Sequence, residues 1–593
     1  MRVQHPRLLW VGWSCLVFLG ATARAGPIEA ARLVAPDAAL YVEITRPADV
    51  LDRVRGDRVQ ALLALSPEYR KAIEGNQYRQ FRGVVDLMAA RLETTWPEAF
   101  ATLTGGGLML AAEGPKADRF LLVATPTDPA FLLKAHATLI DLARRDAAGK
   151  GNPDPAREVR HGDTTLFLAG GKGEAHAIFG GVLVMAGSRE TLEAAINRAE
   201  AQAPSIADDA TWKARRDDAG AKATAWAFAR LDRLREMDPA TYGGDARVVP
   251  PNQQFLFGPW IEAIRKAPWA SSALTWEEGR LSAVVTLPDP PGGYSKPLQA
   301  FLPPQGAAAP VPLLPPRMIA SVGLWRDLSA IWDVRGEIFP PEVVENLAKL
   351  DTTAGTFFGG RDFGVGVLGA LGSDWRLVIA GQDDTDLNPV PAVKVPAFAL
   401  VVGLKPDDEE FGQRLRVAFQ SFIGLANLGA AQQKAPPLEM GSETVEGVTI
   451  ATARFMPPRA GKAPAVPVHT RHNFSPSSAR VGDTFILSST AVLARDLVLA
   501  LKGKGPSAAD PTDATLLAKA DGAELAKLLE ADRATIVAQN ILEKGIDKAK
   551  AEAELHVLTA LLRTLNRASL STTDAGDSVR VRLEFQLGGP SPE

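Results

Sequence analysis

The sequence is almost free of cysteine: Cys15 is the only one in 593 residues. It lies in a short apolar stretch, Leu8 to Ala21, which follows two arginines and precedes small residues at Ala23 and Ala25. That order is typical of a secretory signal peptide. We therefore expect residues 1–25 to be removed after Ala25 and the protein to be exported, to the periplasm or out of the cell. The mature chain would then contain no disulfide, no thiolate metal site and no cysteine nucleophile.

Long apolar segments and basic clusters are also missing. After the predicted signal peptide, no apolar stretch reaches the roughly 18 residues that a membrane-spanning helix needs, so we expect no membrane span. The formal net charge is −4, and removal of the signal peptide makes the chain more acidic, because it takes away three arginines. No run of lysine and arginine is interleaved with aromatic residues. These features exclude nucleic acid as an expected partner.

Motifs for cofactors and catalysis are absent or incomplete. GVGVLG, with glycines at 364, 366 and 369, matches the dinucleotide pattern formally, but the glycines precede a predicted strand instead of joining a strand to a helix. There is no nucleophile elbow of the GxSxG type. Ser188 and Ser489 do follow strands and precede helices, where their neighbours favour a helix-capping role. We expect no cofactor, and we favour a protein without catalytic activity.

Histidine, with seven residues, offers little for a metal site. His469 and His472 are the only close pair in the mature chain, and Arg471 lies between them. Two imidazoles at this spacing can share a metal only if the backbone turns and a third ligand comes from elsewhere. They are weak metal candidates beside the simpler interpretation of a polar loop. His136 falls in a helical pattern, where we expect partial exposure.

The chain also contains an internal repeat. Residues 33–57 align without a gap with residues 313–337, and seven positions are identical where average composition would give roughly one or two. Further matches follow in the same order along both halves, for example FLLVATPTDPAF from Phe120 and FALVVGLKPDDEEF from Phe398. The seven identities are Leu33/Leu313, Pro36/Pro316, Val42/Val322, Arg46/Arg326, Val54/Val334, Arg55/Arg335 and Gly56/Gly336.

The patterns within each copy predict an α+β fold. Short apolar segments of strand length are joined by turns such as GPKADR and by Gly180 and Gly181, which favours antiparallel hairpins, while other segments carry apolar residues at helical spacing. We predict two tandem copies of a mainly antiparallel sheet with helices packed on it. The first copy would span residues 26–287 and the second residues 317–593. Residues 288–316 are rich in proline and are expected to form an extended, semi-rigid linker or a strap lying on a surface, without regular secondary structure.

Several segments resemble an uncharacterised family of secreted bacterial proteins with a tandemly repeated domain of unknown function. They are the Leu-x-x-Pro start before an apolar strand, GGRDFGVGVLGALGSDWRLVIA (359–380), GSETVEGVTIATAR (441–454) and HNFSPSSARVGDTFILSSTAVLARDLV (472–498). The resemblance implies export and a repeated α+β unit. It implies no activity and no site residues.

Tryptophan is the residue that most suggests a ligand site, although core packing is the simpler explanation for large aromatic residues in strands. Five tryptophans fall in predicted strands or at helix starts and could line a groove: Trp269, Trp276, Trp325, Trp332 and Trp375. From the sequence we favour an exported, non-catalytic binding or structural protein whose ligand or envelope partner is unknown. The alternatives are an extracytoplasmic hydrolase with a dispersed site and a carrier of an apolar ligand.

Overall fold

A computed structural model provides the structure of the chain. The residues it describes are 28–114, 119–151, 153–169, 173–239, 249–358, 360–383, 385, 387, 389–406, 409–433, 435–455, 469–504, 513–574 and 576–588. The predicted signal peptide lies outside these ranges. None of the helices within them is both long enough and apolar enough to cross a membrane.

The α+β prediction is confirmed, since antiparallel strands alternate with helices along the whole described chain. The strands, β1 to β20 in chain order, are Leu40–Ile44, Gly107–Ala112, Phe120–Thr125, Ala156–His161, Thr164–Ala169, Ala175–Phe179, Val182–Ala186, Ala225–Arg230, Trp269–Glu277, Arg280–Pro288, Met318–Trp325, Leu371–Ala380, Ala397–Leu404, Leu438–Val445, Val448–Phe455, Ser477–Val481, Thr484–Ser488, Ala514–Asp521, Arg567–Asp574 and Ser578–Gln586.

The helices lie between these strands. In chain order, α1 to α19 are Pro47–Arg55, Asp57–Leu65, Pro67–Glu74, Asn76–Arg91, Trp96–Thr104, Pro129–Gly149, Arg189–Glu200, Ala210–Ala219, Leu231–Met237, Pro251–Lys266, Lys296–Gln299, Leu328–Asp333, Arg335–Ile338, Pro341–Phe357, Glu409–Gln432, Ala491–Leu499, Gly522–Ala531, Arg533–Lys544 and Lys548–Leu565. Single turns of tighter or wider helix occur at Ala30–Leu33, Ile206–Asp208, Phe363–Val367, Leu368–Ala370, Thr470–Asn473 and Ala500–Lys504.

The chain divides into two units. The first contains the residues up to 247 together with 267–278 and 283–288, and the second contains 248–266, 279–282 and the residues from 289 onward. Helix α10 therefore belongs to the second unit, although it precedes the last strands of the first.

The strand order is the same in the two units. In the first unit the neighbours follow the order β4, β5, β6, β7, β3, β2, β1, β8, β9. In the second they follow the order β14, β15, β16, β17, β13, β12, β11, β18, β19, β20. For β1 to β9, strand n of the first unit thus occupies the position of strand n + 10 in the second.

Each sheet buries one face, here called the inner face, under a short amphipathic helix. In the first unit, α7 contributes Leu192 and Ile196 to the core. In the second unit, α16 contributes Leu493 and Leu497, which pack against the inner residues of β12, β13, β15, β16 and β17. Because successive side chains of a strand alternate between faces, the intervening residues form a second, outer face.

The starts of α7 and α16 test the prediction that Ser188 and Ser489 cap helices. Ser188 caps α7 as predicted, because its hydroxyl accepts a hydrogen bond from Thr191 N at 3.2 Å. The prediction for Ser489 was wrong: Thr490 caps α16, and Ser489 Oγ accepts from Phe398 N at 2.8 Å. Two neighbouring hydroxyls were equally suited to the cap, and the strand pairing recruits the first of them.

The proline-rich segment is not wholly extended, in contrast to the expectation. Residues Lys296–Gln299 form one helical turn. Leu298 and Phe301 are buried and pack against Ile331 of α12. The prediction was based on the prolines. The apolar side chains between them pack the segment into the second unit.

Candidate functional site

A continuous row of side chains crosses the outer face of the second sheet. Direct cross-strand pairs link one residue from each of ten strands, and such pairs point to the same side of a sheet. The row contains no charged side chain. Its members, in spatial order, are Leu583, Leu570, Ala518, Val322, Leu377, Leu400, Leu487, Ser478, Ala451 and Ser442.

The middle of this row is open to solvent. Leu377, Leu400 and Leu487 are 42%, 38% and 45% exposed, and Phe398, two residues before Leu400 on the same face, is 50% exposed. We call these four side chains the leucine face. A contiguous apolar patch of this kind is often functional in soluble proteins.

Helix α15 covers the neighbouring part of the outer face. Phe411, near its start, is fully buried with Val402 and Phe485. Further along, Phe419 and Ile423 pack on Ala451 and Ala453 of β15. The leucine face is therefore the uncovered continuation of a surface that is elsewhere a packed core.

A short turn at the end of the sheet adjoins the leucine face. Asn473, 1% exposed, fixes the turn: its Oδ1 accepts from Val395 N at 3.0 Å, and its Nδ2 donates to Val393 O and Thr470 O, both at 2.9 Å. The next residue, Phe474, meets Phe398 edge to face, with ring centroids 6.4 Å apart. The turn and the leucine face are thus in direct contact.

The same turn carries cationic and aromatic groups. The guanidinium carbon of Arg471 lies 5.9 Å from the ring centroid of Phe455, and the His472 ring lies 6.1 Å from that ring. Burial lowers the pKa of His472, and the charges of Arg471 and His469 lower it further. The buried Nε of Arg471 has no hydrogen-bond partner among the described residues.

The predicted metal residues are both in this turn. His469 is exposed, and its Nδ1 accepts from Arg471 N at 3.1 Å, which caps the turn. His472 is half-buried against Phe455. In the part of the chain that the structure describes, no three His, Cys, Asp or Glu residues converge as metal ligands.

The five predicted groove tryptophans are distributed over both units. Trp269 and Trp276 belong to β9 of the first unit, where Trp269 stacks on Phe228 at 6.1 Å. Seven positions apart in one strand, these two side chains point to opposite faces. In the second unit, Trp332 contacts Phe363 at 5.1 Å. These contacts are those of packed aromatic residues. A ligand groove lined by the tryptophans stays a prediction.

The other two tryptophans lie beside Arg326, which sequence reasoning recognised only as part of the repeat. Trp375 Nε1 donates to Arg326 O at 3.1 Å, and Trp325 O accepts from Arg326 Nη1 at 2.7 Å. Burial lowers the pKa of Arg326 to about 10. The guanidinium reaches α10, where Nε donates to Phe255 O at 3.2 Å and Nη2 to Leu256 O at 2.8 Å.

Proline explains this arrangement. Pro259 lies inside α10 and has no N–H to donate to Phe255 O, four residues earlier. Arg326 supplies the missing donor. The cavity beside it measures about 30 Å³, which is room for a water molecule or two and far too little for an acyl chain. Arg326 therefore serves the structure of the second unit.

The leucine face was missed, although the sequence carried a signal for it. AFALVVGL in β13 and LVIA in β12 are continuous apolar segments, not alternating ones. Such strands are expected to be buried on both faces. In the structure one face of each is only partly covered.

Comparisons with known proteins add little to this description. No protein-family model matches the chain, and no curated protein matches it. Among solved structures, crystal forms I and III of TP0453 are similar over 47% of this chain and 84% and 85% of theirs. In both cases the identity is 11% and the TM-score 0.25. At such values the likeness carries no argument about fold or function.

Proposed function

We propose that this chain is an exported, non-catalytic protein that binds the hydrocarbon region of a lipid layer through the leucine face. The observation that carries the proposal is the set of three exposed leucines paired across β12, β13 and β17, with Phe398 beside them. Export is supported by the signal-peptide pattern of residues 1–25.

A lipid layer fits the leucine face better than a second copy of the chain. The four side chains are about half exposed and present on the order of 300 Å² by themselves, which is less than the about 500 Å² that a stable dimer needs from each copy. A lipid layer has no such minimum and no demand for shape complementarity. A single enclosed ligand would require a deep apolar pocket, while these leucines lie on an open sheet face.

Aromatic and cationic groups beside an apolar surface are also typical of proteins that contact lipid layers. Phe398 and Phe474 lie where the leucine face meets the turn that bears Arg471. This composition favours lipid over a protein partner.

We further propose that the two units are copies of one ancestral unit. The seven sequence identities and the shared strand order support this proposal, and Val42 and Val322 both lie in the strand that opens its unit. Superposition of experimentally determined coordinates for the two units would test it.

The lipid proposal is tested by co-sedimentation with phosphatidylcholine vesicles. Leu400→Ser should weaken binding by roughly threefold to tenfold, because the serine forgoes the transfer of about half a leucine side chain into hydrocarbon. Leu133→Ser is a matched control, since Leu133 of α6 is 39% exposed against 38% for Leu400. Wild-type protein that fails to sediment would overturn the proposal, and release of free fatty acid would favour the hydrolase alternative.

A further inference from the structure

Arg471 is one of several arginines of the described chain without an anionic partner, and it is carried by the turn that adjoins the leucine face. Arg414, for comparison, pairs with Glu410 at 2.6 Å, and Arg495 pairs with Glu443 at 2.8 Å. Among the described residues, Arg471 makes no ion pair with a carboxylate. Its guanidinium lies over the face of Phe455, and its backbone N–H donates to His469 Nδ1. Because Nε is buried, only the terminal nitrogens of this half-buried guanidinium can meet an anion from outside the chain, and such an anion would supply the charge partner that the described residues do not.

The position of Arg471 is set by the structure and does not depend on a flexible loop. Asn473 ties the turn to the residues before β13 through three hydrogen bonds. Gln382 Nε2 also donates to Asn473 O at 3.1 Å. The aromatic contacts of Phe455 and Phe474 hold the turn against the outer side of the sheet. The guanidinium is thus held at the border of the leucine face.

The charge of the surrounding sequence has one sign. From Met456 to Gly482 there is no aspartate or glutamate, while Arg459, Lys462, Arg471 and Arg480 are present. Arg459 and Lys462 lie outside the described residues, and the site is not built on them. Arg480 pairs with Asp483, directly after this stretch, at 3.7 Å, so the described cation that favours an anionic partner here is Arg471.

We infer that the lipid layer bound by the leucine face is anionic, and that Arg471 binds the phosphate of its headgroups. This inference rests on the proposed function and specifies the class of lipid. A guanidinium can donate two parallel hydrogen bonds to a phosphate, and Phe455 and Phe474 would lie at the boundary between the headgroups and the acyl chains.

The test compares vesicles of pure phosphatidylcholine with vesicles containing about 30 mol % phosphatidylglycerol, at low and at moderate salt. Wild-type protein should bind the anionic vesicles more tightly, by about fivefold for each basic side chain at the surface. Arg471→Gln should remove about fivefold of that preference, and Arg471→Lys should restore most of it, because the charge remains. None of these substitutions should change binding to the neutral vesicles.

Arg454→Gln provides the matched control, since it makes the same change of charge in the same strand as Phe455. Arg454 is exposed on the inner side, because residues 450, 452 and 454 alternate with 451, 453 and 455. We expect it to retain the preference for anionic vesicles. A loss equal to that of Arg471→Gln would show a general charge effect and overturn the assignment to Arg471.

The outcomes separate this inference from the proposed function. Equal binding of wild-type protein to neutral and anionic vesicles would overturn the anionic specificity and leave lipid binding intact. Failure to bind either vesicle would overturn both. A salt-independent dimer that dissociates in Leu400→Ser would show that a second copy covers the leucine face, and would also overturn both.

Discussion

The two units share a strand order and differ in how the outer face of the sheet is covered. Helix α6 of the first unit and α15 of the second occupy the same place in the order, after β3 and β13. The solvent-exposed side of α6 carries the ion pair Arg145–Asp141 at 2.9 Å. Near the end of the helix, Asp146 pairs with Lys150, just after it, at 2.7 Å. In α15 the sequence from Val417 to Gln432 has no charged residue. The framework is common to both, and the chemistry of the outer surface is not.

The exposed side of α15 is correspondingly apolar. Val417, Phe422, Leu425 and Leu428 are between 54% and 61% exposed. The buried side of the same helix holds Ile423. A helix that is apolar on both sides indicates a partner or a lipid environment. The contrast with α6 is consistent with the proposal that the second unit carries the lipid-binding surface.

Corresponding positions under these helices also differ. In the first unit, His176 pairs with Phe167 and Met185, and the ring of His136 from α6 lies 5.2 Å from Phe167. In the second unit, Ser478 pairs with Ala451 and Leu487 in the same register, and α15 supplies Phe419 and Ile423 above Ala451. The first unit buries ionisable rings where the second buries aliphatic and phenyl groups.

The largest expected difference in stability between the units concerns Arg46 and Arg326, which occupy the same position in the repeat. Arg326→Ala would leave the carbonyls of Phe255, Leu256 and Trp325 without their donor and create a cavity, and should cost about 3–5 kcal/mol. Arg46→Ala should cost under about 1 kcal/mol, because that side chain is 41% exposed and its contacts with Asp49 and Lys222 O lie at the surface. Hydrogen exchange of β11 and β1 in denaturant measures the two separately, and equal losses would remove this difference between the units.

The fold was more accessible to sequence reasoning than the site. Strand lengths, hairpin turns and helix periodicity depend on neighbours in sequence, so the α+β class and the Ser188 cap could be predicted. Arg326 depends on Pro259, which lies 67 positions away in sequence and on another element. The leucine face depends on whether a distant helix covers an apolar strand, and no local pattern contains that information.

His136 illustrates the same limit. Its helical spacing suggested partial exposure, and this was wrong: the side chain is 1% exposed, between Phe167 and His176. The residue that buries it is contributed by β5, which follows α6 in the chain. Its burial creates a pH dependence that the sequence did not indicate.

The second-largest expected difference between the units is in how their stability depends on pH. Burial lowers the pKa of His136 to about 2, with a contribution from His176, and burial lowers the pKa of His176 to about 4. Both values lie below the unfolded value of about 6.5. The stabilisation is complete above that pH and is lost as the pH falls toward 4, by up to about 1.4 kcal/mol per pH unit for each residue.

We therefore expect hydrogen exchange, corrected for its intrinsic pH dependence, to show β5 and β6 losing protection near pH 5 while β15 and β16 keep theirs. The double variant His136→Leu, His176→Ser should abolish the loss. A parallel loss in both units would show that another group governs acid sensitivity.

A smaller effect is expected from the glycines of α15. Nothing lies within 4 Å of a Cβ placed at Gly424 or Gly429. Alanine at both positions should stabilise the second unit by about 1–2 kcal/mol, because glycine is unfavourable in a helix interior. Urea unfolding followed by exchange of α15 measures the gain. Destabilisation would show that another segment approaches the helix closely.

The smallest change in stability is expected at two corresponding positions that carry the same residue with the same exposure. Leu110 in β2 and Leu377 in β12 pair with Val42 and Val322, respectively, and each leucine is 42% exposed. Serine at either position should therefore lower stability by a similar amount, under about 1 kcal/mol. Only Leu377→Ser should weaken vesicle binding, because Leu377 is flanked by exposed Leu400, whereas Leu122, which pairs with Leu110, is half-buried. Equal losses of binding would assign the lipid contact to both sheets, and the two units would then share a function as well as a strand order.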